Sequence, residues 1–478
     1  MEEYLLPKKR SKIFVNFDQI KVPWTVLSLQ NLLRSLYARE GFKRISINVF
    51  WLFVDKVIRM GVGLVVGAWV ARYLGPSQFG LLNFAIAFSA LFGAFATLGL
   101  DPIVVREILK CPEKTNELLG TTFVLKLLGG TFAFILSVIG VFLLRPSELL
   151  TIILVALSAG GFIFQAFLAI DFYYQAYLKS KYTVWAQNLA FLIISGFKVF
   201  FIFKKAPLIV FGIAGFAEIL LGSILLFIFY KIQRGNEGKW KFSYAIAGSL
   251  LKDSWPLMLA GLAVMVYMRI NLVMLGQMLN DRAVGIYSAA TRISEIWYFI
   301  PMAIASSLFP AILKSKGISE SLYYKRLQQY FTLMTWLGLS FALLISFSSK
   351  FIIYALYGSS YYEAYSVLII HAWAGVFVCL GVASSSWFLV ENLQQYSFYR
   401  SLMGALINIV LGLWLIPILG VNGASWATVL SYAVAAYLSD ITHDKTRIIF
   451  VLKSKSLFCP FSIFGERRQD IERSTSVG

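Results

Sequence analysis

The sequence predicts an all-α membrane protein of about twelve transmembrane helices, arranged in two six-helix lobes related by a parallel pseudo-two-fold repeat. Three observations carry this. The 478 residues are 59% hydrophobic and only 14% charged, against about 45–50% and about 25% in soluble globular proteins. Apolar runs of about 20 residues, long enough to cross a bilayer, recur along the chain. A short turn sequence also appears twice at equivalent places. Leu74-Gly75-Pro76-Ser77-Gln78-Phe79-Gly80-Leu81-Leu82-Asn83-Phe84-Ala85 aligns with Leu279-Asn280-Asp281-Arg282-Ala283-Val284-Gly285-Ile286-Tyr287-Ser288-Ala289-Ala290, and each copy follows one long span and opens the next. Six spans separate the copies, so both have the same orientation, which makes the repeat parallel.

Residues 1–44 form a basic leader. Val26, Leu29, Leu32, Leu33 and Leu36 fall at helical spacing there, so the leader reads either as an interfacial helix on anionic lipid or as a cytoplasmic tail. No apolar signal-peptide core follows its lysines. The N-terminal lobe occupies 45–230, with spans near 46–72, 80–105, 118–143, 149–170, 183–203 and 207–230. A basic connector, 231–252, leads to the C-terminal lobe, 253–440. Its spans lie near 254–279, 285–312, 329–348, 364–389, 398–418 and 422–440, with Phe351–Tyr362 read as interfacial. A polar, basic tail, 441–478, ends the chain.

The net charge of +19 would point a soluble chain toward nucleic acid. Here it is explained by lysines and arginines collecting in loops on one side. Those loops carry Arg106, Lys110, Lys114, Lys179, Lys181, Lys231, Arg234, Lys252, Lys314, Lys316 and Arg400, while the opposite ones hold Arg72, Arg145, Lys204, Lys205, Arg282 and Lys350. The bias predicts both termini on the cytoplasmic side of a multi-pass inner-membrane protein. Cys111, Cys379 and Cys459 show neither a disulfide framework nor metal-ligand spacing. With two histidines and no cofactor motif, the expectation is no metal and no cofactor beyond a coupling proton or sodium ion.

Function is most legible between Leu250 and Leu313, two long apolar segments joined by Leu279-Asn280-Asp281-Arg282. Arg269, Arg292 and Glu295 lie inside those segments, where an ionisable group costs at least a few kcal/mol. In the first span, Asp55 and Arg59 share a helix face with Asn48 and Gly63, and Lys56 points about 100° away. Ser288, Arg292 and Glu295 share another face. Asp55–Arg59 and Arg292–Glu295 read as local pairs, whereas Arg269 has no local partner and only Asn271 nearby. Glu218 sits in mid-span without a charged neighbour on its helix. Lys126 and Lys198 lie nearer span ends, where they can snorkel. His371 and Asn408 read as interhelical hydrogen-bond formers.

Arginines at mid-depth from three helices predict a cationic cavity formed by Arg59, Arg269 and Arg292. A guanidinium stays charged and binds phosphate oxygens bidentately, so a pyrophosphate fits such a cavity better than a drug cation does. Asp55, Glu218 and Glu295 are candidates for coupling to protons or sodium. Lys56, Lys126, Lys198 and Asn271 are secondary candidates.

Several motifs resemble the polysaccharide-biosynthesis flippases of the multidrug/oligosaccharidyl-lipid/polysaccharide exporter superfamily, the O-antigen type of lipid-linked oligosaccharide exporter. They are Ala71-Arg72-Tyr73-Leu74-Gly75-Pro76-Ser77-Gln78-Phe79-Gly80, Val105-Arg106-Glu107-Ile108, and Gly285-Ile286-Tyr287-Ser288-Ala289-Ala290-Thr291-Arg292-Ile293-Ser294-Glu295. Tyr357-Gly358 with Tyr362-Glu363-Ala364, and Asn408-Ile409-Val410-Leu411 through Gly423-Ala424, continue the series over roughly residues 45–440. The resemblance implies two lobes alternating around a central cavity and a cargo of oligosaccharide on undecaprenyl pyrophosphate. It further implies cationic cavity residues that hold the head group. Membrane lipids and a polysaccharide polymerase are the expected partners, with no nucleic acid, and the expected state is a monomer. A cation-coupled multidrug exporter of the same superfamily is the alternative. A lipid II flippase of this fold usually has two further spans, and no apolar run after 440 supplies them. An enzyme is not expected, since no loop is long enough for a catalytic domain.

Overall fold

The computed structural model describes residues 40–234, 239–391 and 393–458, and among these every regular element is helical. The basic leader before residue 40 lies outside the described residues, so its predicted interfacial helix does too. The N-terminal lobe comprises α1 (Glu40–Leu91), the short α2 (Gly93–Thr97), α3 (Asp101–Lys110), α4 (Thr115–Leu144), α5 (Leu149–Phe164), α6 (Ala169–Ala176), α7 (Lys181–Phe203) and α8 (Leu208–Arg234). The C-terminal lobe comprises α9 (Tyr244–Met278), α10 (Asp281–Glu295), α11 (Phe299–Lys316), α12 (Glu320–Tyr357), α13 (Ala364–Ala372), α14 (Ala374–Val390), α15 (Gln394–Leu419) and α16 (Val421–Ala436). A further helix, α17 (Asp444–Phe458), follows.

Among the described residues, ten helices are long and apolar enough to cross a membrane. One of them, Phe53–Leu91, runs 39 residues and contains two crossings. The break is at Gly75, whose φ of 72° and ψ of 169° leave the helical region just before Pro76. Glycine enters that left-handed region without a Cβ penalty, and proline restarts a helix well at its first turn. The 16-residue α16, extended by the turn at Leu438–Ile441, supplies the twelfth crossing.

The two copies of the repeated turn meet at the charge-poor end of the molecule. A Cβ built on Gly80 would stand 1.7 Å from the Asp281 carbonyl oxygen, and one on Gly285 would stand 2.0 Å from that of Pro76. Gly80 and Gly285 are equivalent in the repeat, as are Pro76 and Asp281. The contact is therefore reciprocal, as a local two-fold axis requires. Small residues let membrane helices approach closely where lipid offers no hydrophobic drive, and Ala71, Ala85, Ala289 and Ala290 are fully buried around this seam. Other groups tie the lobes here. Arg145 lies over the Phe84 ring, donates to the Gly276 carbonyl and pairs with Asp281 at 3.0 Å. Arg72 donates to the Ala355 carbonyl, and the Tyr361 hydroxyl donates to the Ala71 carbonyl at 2.8 Å.

α9 serves both lobes. Near its start, Asp253 pairs with Arg106 at 2.7 Å and its backbone at Met258 lies against Gly99. Near its end, Asn271 donates to Asn408 at 3.0 Å and to Thr428 at 2.8 Å within the C-terminal lobe.

The structure departs from the sequence reading in several places. The second span, expected to run to 105, stops at Leu91; Leu98 and Gly99 then take positive φ and α3 begins afresh. Phe351–Tyr357 is the last stretch of α12 rather than an interfacial entry to span ten. The first part of the predicted tail is the helix α17, packed on α12 through Gln328, Thr335 and Trp336. Arg400, expected in a loop, lies inside α15, and both it and Arg145, which is in the loop between α4 and α5 as expected, are buried in the packing, 9% and 8% exposed.

Candidate functional site

A cavity of about 630 Å³ opens between the lobes. Each helix gives it one face. α1 contributes Arg59 and Gly63, spaced four apart, and, after its break, Asn83, Ile86, Ala87 and Ala90 at spacings of three, one and three. α9 contributes Met265, Arg269 and Leu272, and α10 contributes Ser288, Thr291, Arg292 and Glu295. These are the one-sided spacings of a helix that turns about 100° per residue. Arg59, Arg269 and Arg292 thus line a single space, in company with Glu295.

The three guanidinium groups differ in what holds them. Arg59 donates to Asp55 at 2.9 Å and lies against the Phe191 ring; Asn188 donates to the same carboxylate oxygen at 2.8 Å. Asp55 therefore orients Arg59 and does not itself line the cavity. The expected Arg292–Glu295 pair does not form. Residues three apart differ by about 60° around a helix, enough to turn Glu295 toward α9, where it meets Arg269 at 3.7 Å. Arg269, expected to lack a local partner, has this one across the helix boundary. Arg292 reaches the other way. It crosses to the N-terminal lobe, donates to the Gly63 carbonyl at 3.2 Å, and lies so close to Gly67 that a Cβ there would stand 2.7 Å from its guanidinium carbon. Among the described residues Arg292 forms no ion pair.

A second space, about 410 Å³, extends from the first into the N-terminal lobe and shares Gly63, Asn83, Ile86, Ala90 and Arg292 with it. Phe79, Phe162, Phe191, Phe211 and Phe216 line it, with Asn83, Ser89, Ser158, Gln165 and Ser195 among its polar groups. Lys198 and Glu218 face each other there at 2.9 Å. Glu218 thus finds its partner on the neighbouring helix, and Lys198 turns inward instead of snorkelling. Lys126 does not snorkel either. It is 2% exposed, over the Phe172 ring and 3.3 Å from Asp101, and lines neither space.

Lys56 is exposed and outside both cavities. Asn271 is spent on the buried network with Asn408, Thr428 and the Ala424 carbonyl. His371 takes a 2.6 Å hydrogen bond with Ser294 between α13 and α10. Sequence reasoning missed Asn83, Thr291 and Gly67, whose polarity or smallness is unremarkable until the helices are side by side. It also missed the phenylalanines of the annex, because phenylalanine is common throughout the chain. Among the described residues no group of three or more His, Cys, Asp or Glu side chains is placed to hold a metal ion.

Residues 45–316 match the family of polysaccharide biosynthesis proteins, and residues 256–414 match the MatE family. No curated protein matches the chain in sequence. Among solved structures, an inward-facing multidrug resistance MATE family transporter of the MOP superfamily superposes with a TM-score of 0.68 at 15% identity, covering 86% of this chain and 99% of that one. The lipid II flippase MurJ in an inward closed conformation gives 0.64 at 17% identity, over 87% and 92%. A MOP superfamily transporter from Pyrococcus furiosus, described by the reverse polarity of its binding pocket, gives 0.52 at 15% identity, over 86% and 96%. These likenesses carry the fold: two lobes of six membrane helices.

Proposed function

Because this chain belongs to the polysaccharide biosynthesis protein family and has the two-lobed fold of MOP superfamily transporters, we propose that it is a flippase for polyprenyl-pyrophosphate-linked oligosaccharide. It carries this lipid from the cytoplasmic to the outer leaflet of the cell membrane by alternating access. The observation that carries the reading is the set of three arginines on one cavity, answered by two carboxylates: Glu295 in the lining and Asp55 behind Arg59. A diphosphate offers guanidinium groups several acceptor oxygens in bidentate geometry. The surplus of positive charge would reject a cationic drug.

Arg292 has the leading role. Its charge is not spent on a carboxylate, so an incoming pyrophosphate competes only with the Gly63 carbonyl. Arg59 and Arg269 add charge from positions that Asp55 and Glu295 hold fixed. The annex beside the main cavity offers aromatic faces and small polar groups, a surface suited to sugar. The basic end of the molecule is taken as cytoplasmic. The contacts at Gly80 and Gly285 then close the outer end, which makes the described state one that receives cargo from inside. Asp55, Glu218 and Glu295 each face a cation, so protonating any of them would free its partner. That is the proposed point of coupling to an ion gradient.

The test is reconstitution in vesicles with a fluorescent polyprenyl-pyrophosphate oligosaccharide, scoring movement between leaflets with and without a proton or sodium gradient. Movement that requires the protein supports the reading. A protein that moves only organic cations would instead be the multidrug exporter, for which the phenylalanine-lined annex with Glu218 is the favouring feature.

A further inference from the structure

Far from the central cavity, and sharing no residue with it, a pocket of about 100 Å³ lies where the start of α15 meets the turn before α17. We infer that it is a binding site for a phosphate group, supplied either by the head group of an anionic lipid or by a free phosphate ion. Arg400 is its centre. This side chain is 9% exposed, and its Nη2 donates to the Gly381 carbonyl at 3.3 Å and to the Ser385 hydroxyl at 3.2 Å. Its Nη1 lines up no acceptor among the described residues. A buried N–H left unmatched is costly, most of all on a charged group, and Arg400 is the charged side chain so placed among the described residues.

The local charge balance favours an anion. Asp440 is the pocket's carboxylate, and one of its two oxygens, Oδ2, is taken by Lys453, which is fully buried. Two buried cations thus share one carboxylate. A second donor lines the same pocket. His443 accepts the Lys445 backbone N–H on Nδ1 at 3.2 Å, so in its neutral form the ring proton is on Nε2. That nitrogen lies 2.9 Å from the Tyr396 hydroxyl. With His443 donating to the phenol oxygen, the phenol proton is free to donate into the pocket. Thr442 and Ser439, also in the lining, give their protons to the Ser439 and Ala435 carbonyls and remain as acceptors.

Size and place complete the argument. The pocket has room for a tetrahedral anion. It lies on the side where the basic loops gather, at the end of α14 and the start of α15, and basic pockets between membrane helices on that side suit lipid head groups. Tyr399, 61% exposed, stands at its rim.

Full-length protein in neutral detergent provides the test. A Tyr399→Trp variant places a fluorophore at the rim, to be titrated with inorganic phosphate and separately with dihexanoyl phosphatidylglycerol at constant ionic strength set with chloride. Saturable change with phosphate identifies a free-anion site, and change with phosphatidylglycerol alone identifies a head-group site. In either case Arg400→Gln should weaken binding about tenfold or more, the loss of a charge-assisted hydrogen bond. Where Arg400→Gln does not fold, Tyr396→Phe replaces it as the test, removing one hydroxyl together with its hydrogen bond to His443. Its expected effect is a several-fold loss. Saturation by neither probe, or unchanged affinity in the deciding variant, overturns the inference.

Discussion

At the scale of single residues, the account turns on Arg292 and on the glycine that makes room for it. A charge-assisted hydrogen bond contributes about 1.5–3 kcal/mol, so Arg292→Ala should lower transport of the lipid-linked oligosaccharide roughly 10- to 100-fold. Arg292→Lys should recover part of that, since charge survives but the planar fork does not. Equal losses in both, read by initial rates in vesicles, would remove charge from the explanation. Gly67→Ala places a Cβ where the guanidinium now rests. The side chain must give way, and Gly67→Ala is expected to reduce transport while leaving the unfolding midpoint near wild type. The three arginines were legible in the sequence because a charge in mid-span is conspicuous. Their partners were not. Spacing along one helix favoured Arg292–Glu295, but the 60° between those positions sends them to different neighbours, and only the packed bundle shows which. Arg400 misled in the opposite way, since a basic residue near a span end reads as a loop charge until its burial is seen.

At the scale of elements, the spans were legible from apolar length, and their interruptions were not. Within the run from 80 to 105, Gly99 and Asp101-Pro102 mark a break, but the apolar length around them outweighed it; Leu98 and Gly99 take positive φ and separate α3 from what precedes it. The helix α17 was read as tail because its apolar run, Ile448-Ile449-Phe450-Val451-Leu452, is far too short to cross a bilayer and is flanked by charged residues. It docks through Ile449 and Leu452 and through Lys453, which burial pushes down from its ordinary value of 10.5 to about 8 although Asp440 opposes the shift. The folded state therefore holds this proton less tightly than the unfolded chain. Between about pH 8 and 10.5 the unfolded chain binds more protons, so the stability contributed at this position rises with pH across that window. Thermal unfolding at pH 7 and pH 9.5 checks this. Wild type should gain stability relative to Lys453→Met as pH rises, and parallel curves would contradict the burial argument.

At the scale of the whole molecule, the repeat becomes a mechanism. A twelve-residue repeat of weak similarity in sequence turns out to bring the lobes into close backbone contact, with Gly80 against Asp281 and Gly285 against Pro76. Overpacking such a contact costs about 1–3 kcal/mol. Gly80→Val or Gly285→Val should therefore shift the population toward states open at the charge-poor end. A cysteine at position 83, which lines both cavities, should then react faster with an impermeant thiol reagent supplied from that side, in a background without the native cysteines. Unchanged reactivity would mean that the glycine seam is not the outer gate. The two-lobed plan was readable because six-span periodicity and loop charge are long-range patterns. The gate was not, because close backbone approach leaves only glycines, which are frequent in membrane helices for many reasons.

The central claim is that the cavity between the lobes takes a diphosphate on arginine. Equilibrium binding to purified protein tests it most directly, comparing undecaprenyl pyrophosphate with undecaprenyl monophosphate and with an organic cation, in wild type and Arg292→Ala. The account predicts that the pyrophosphate binds tightest, that Arg292→Ala weakens it at least about tenfold, and that the cation competes with neither lipid. Preferential binding of the cation, or a pyrophosphate affinity untouched by Arg292→Ala, would contradict it.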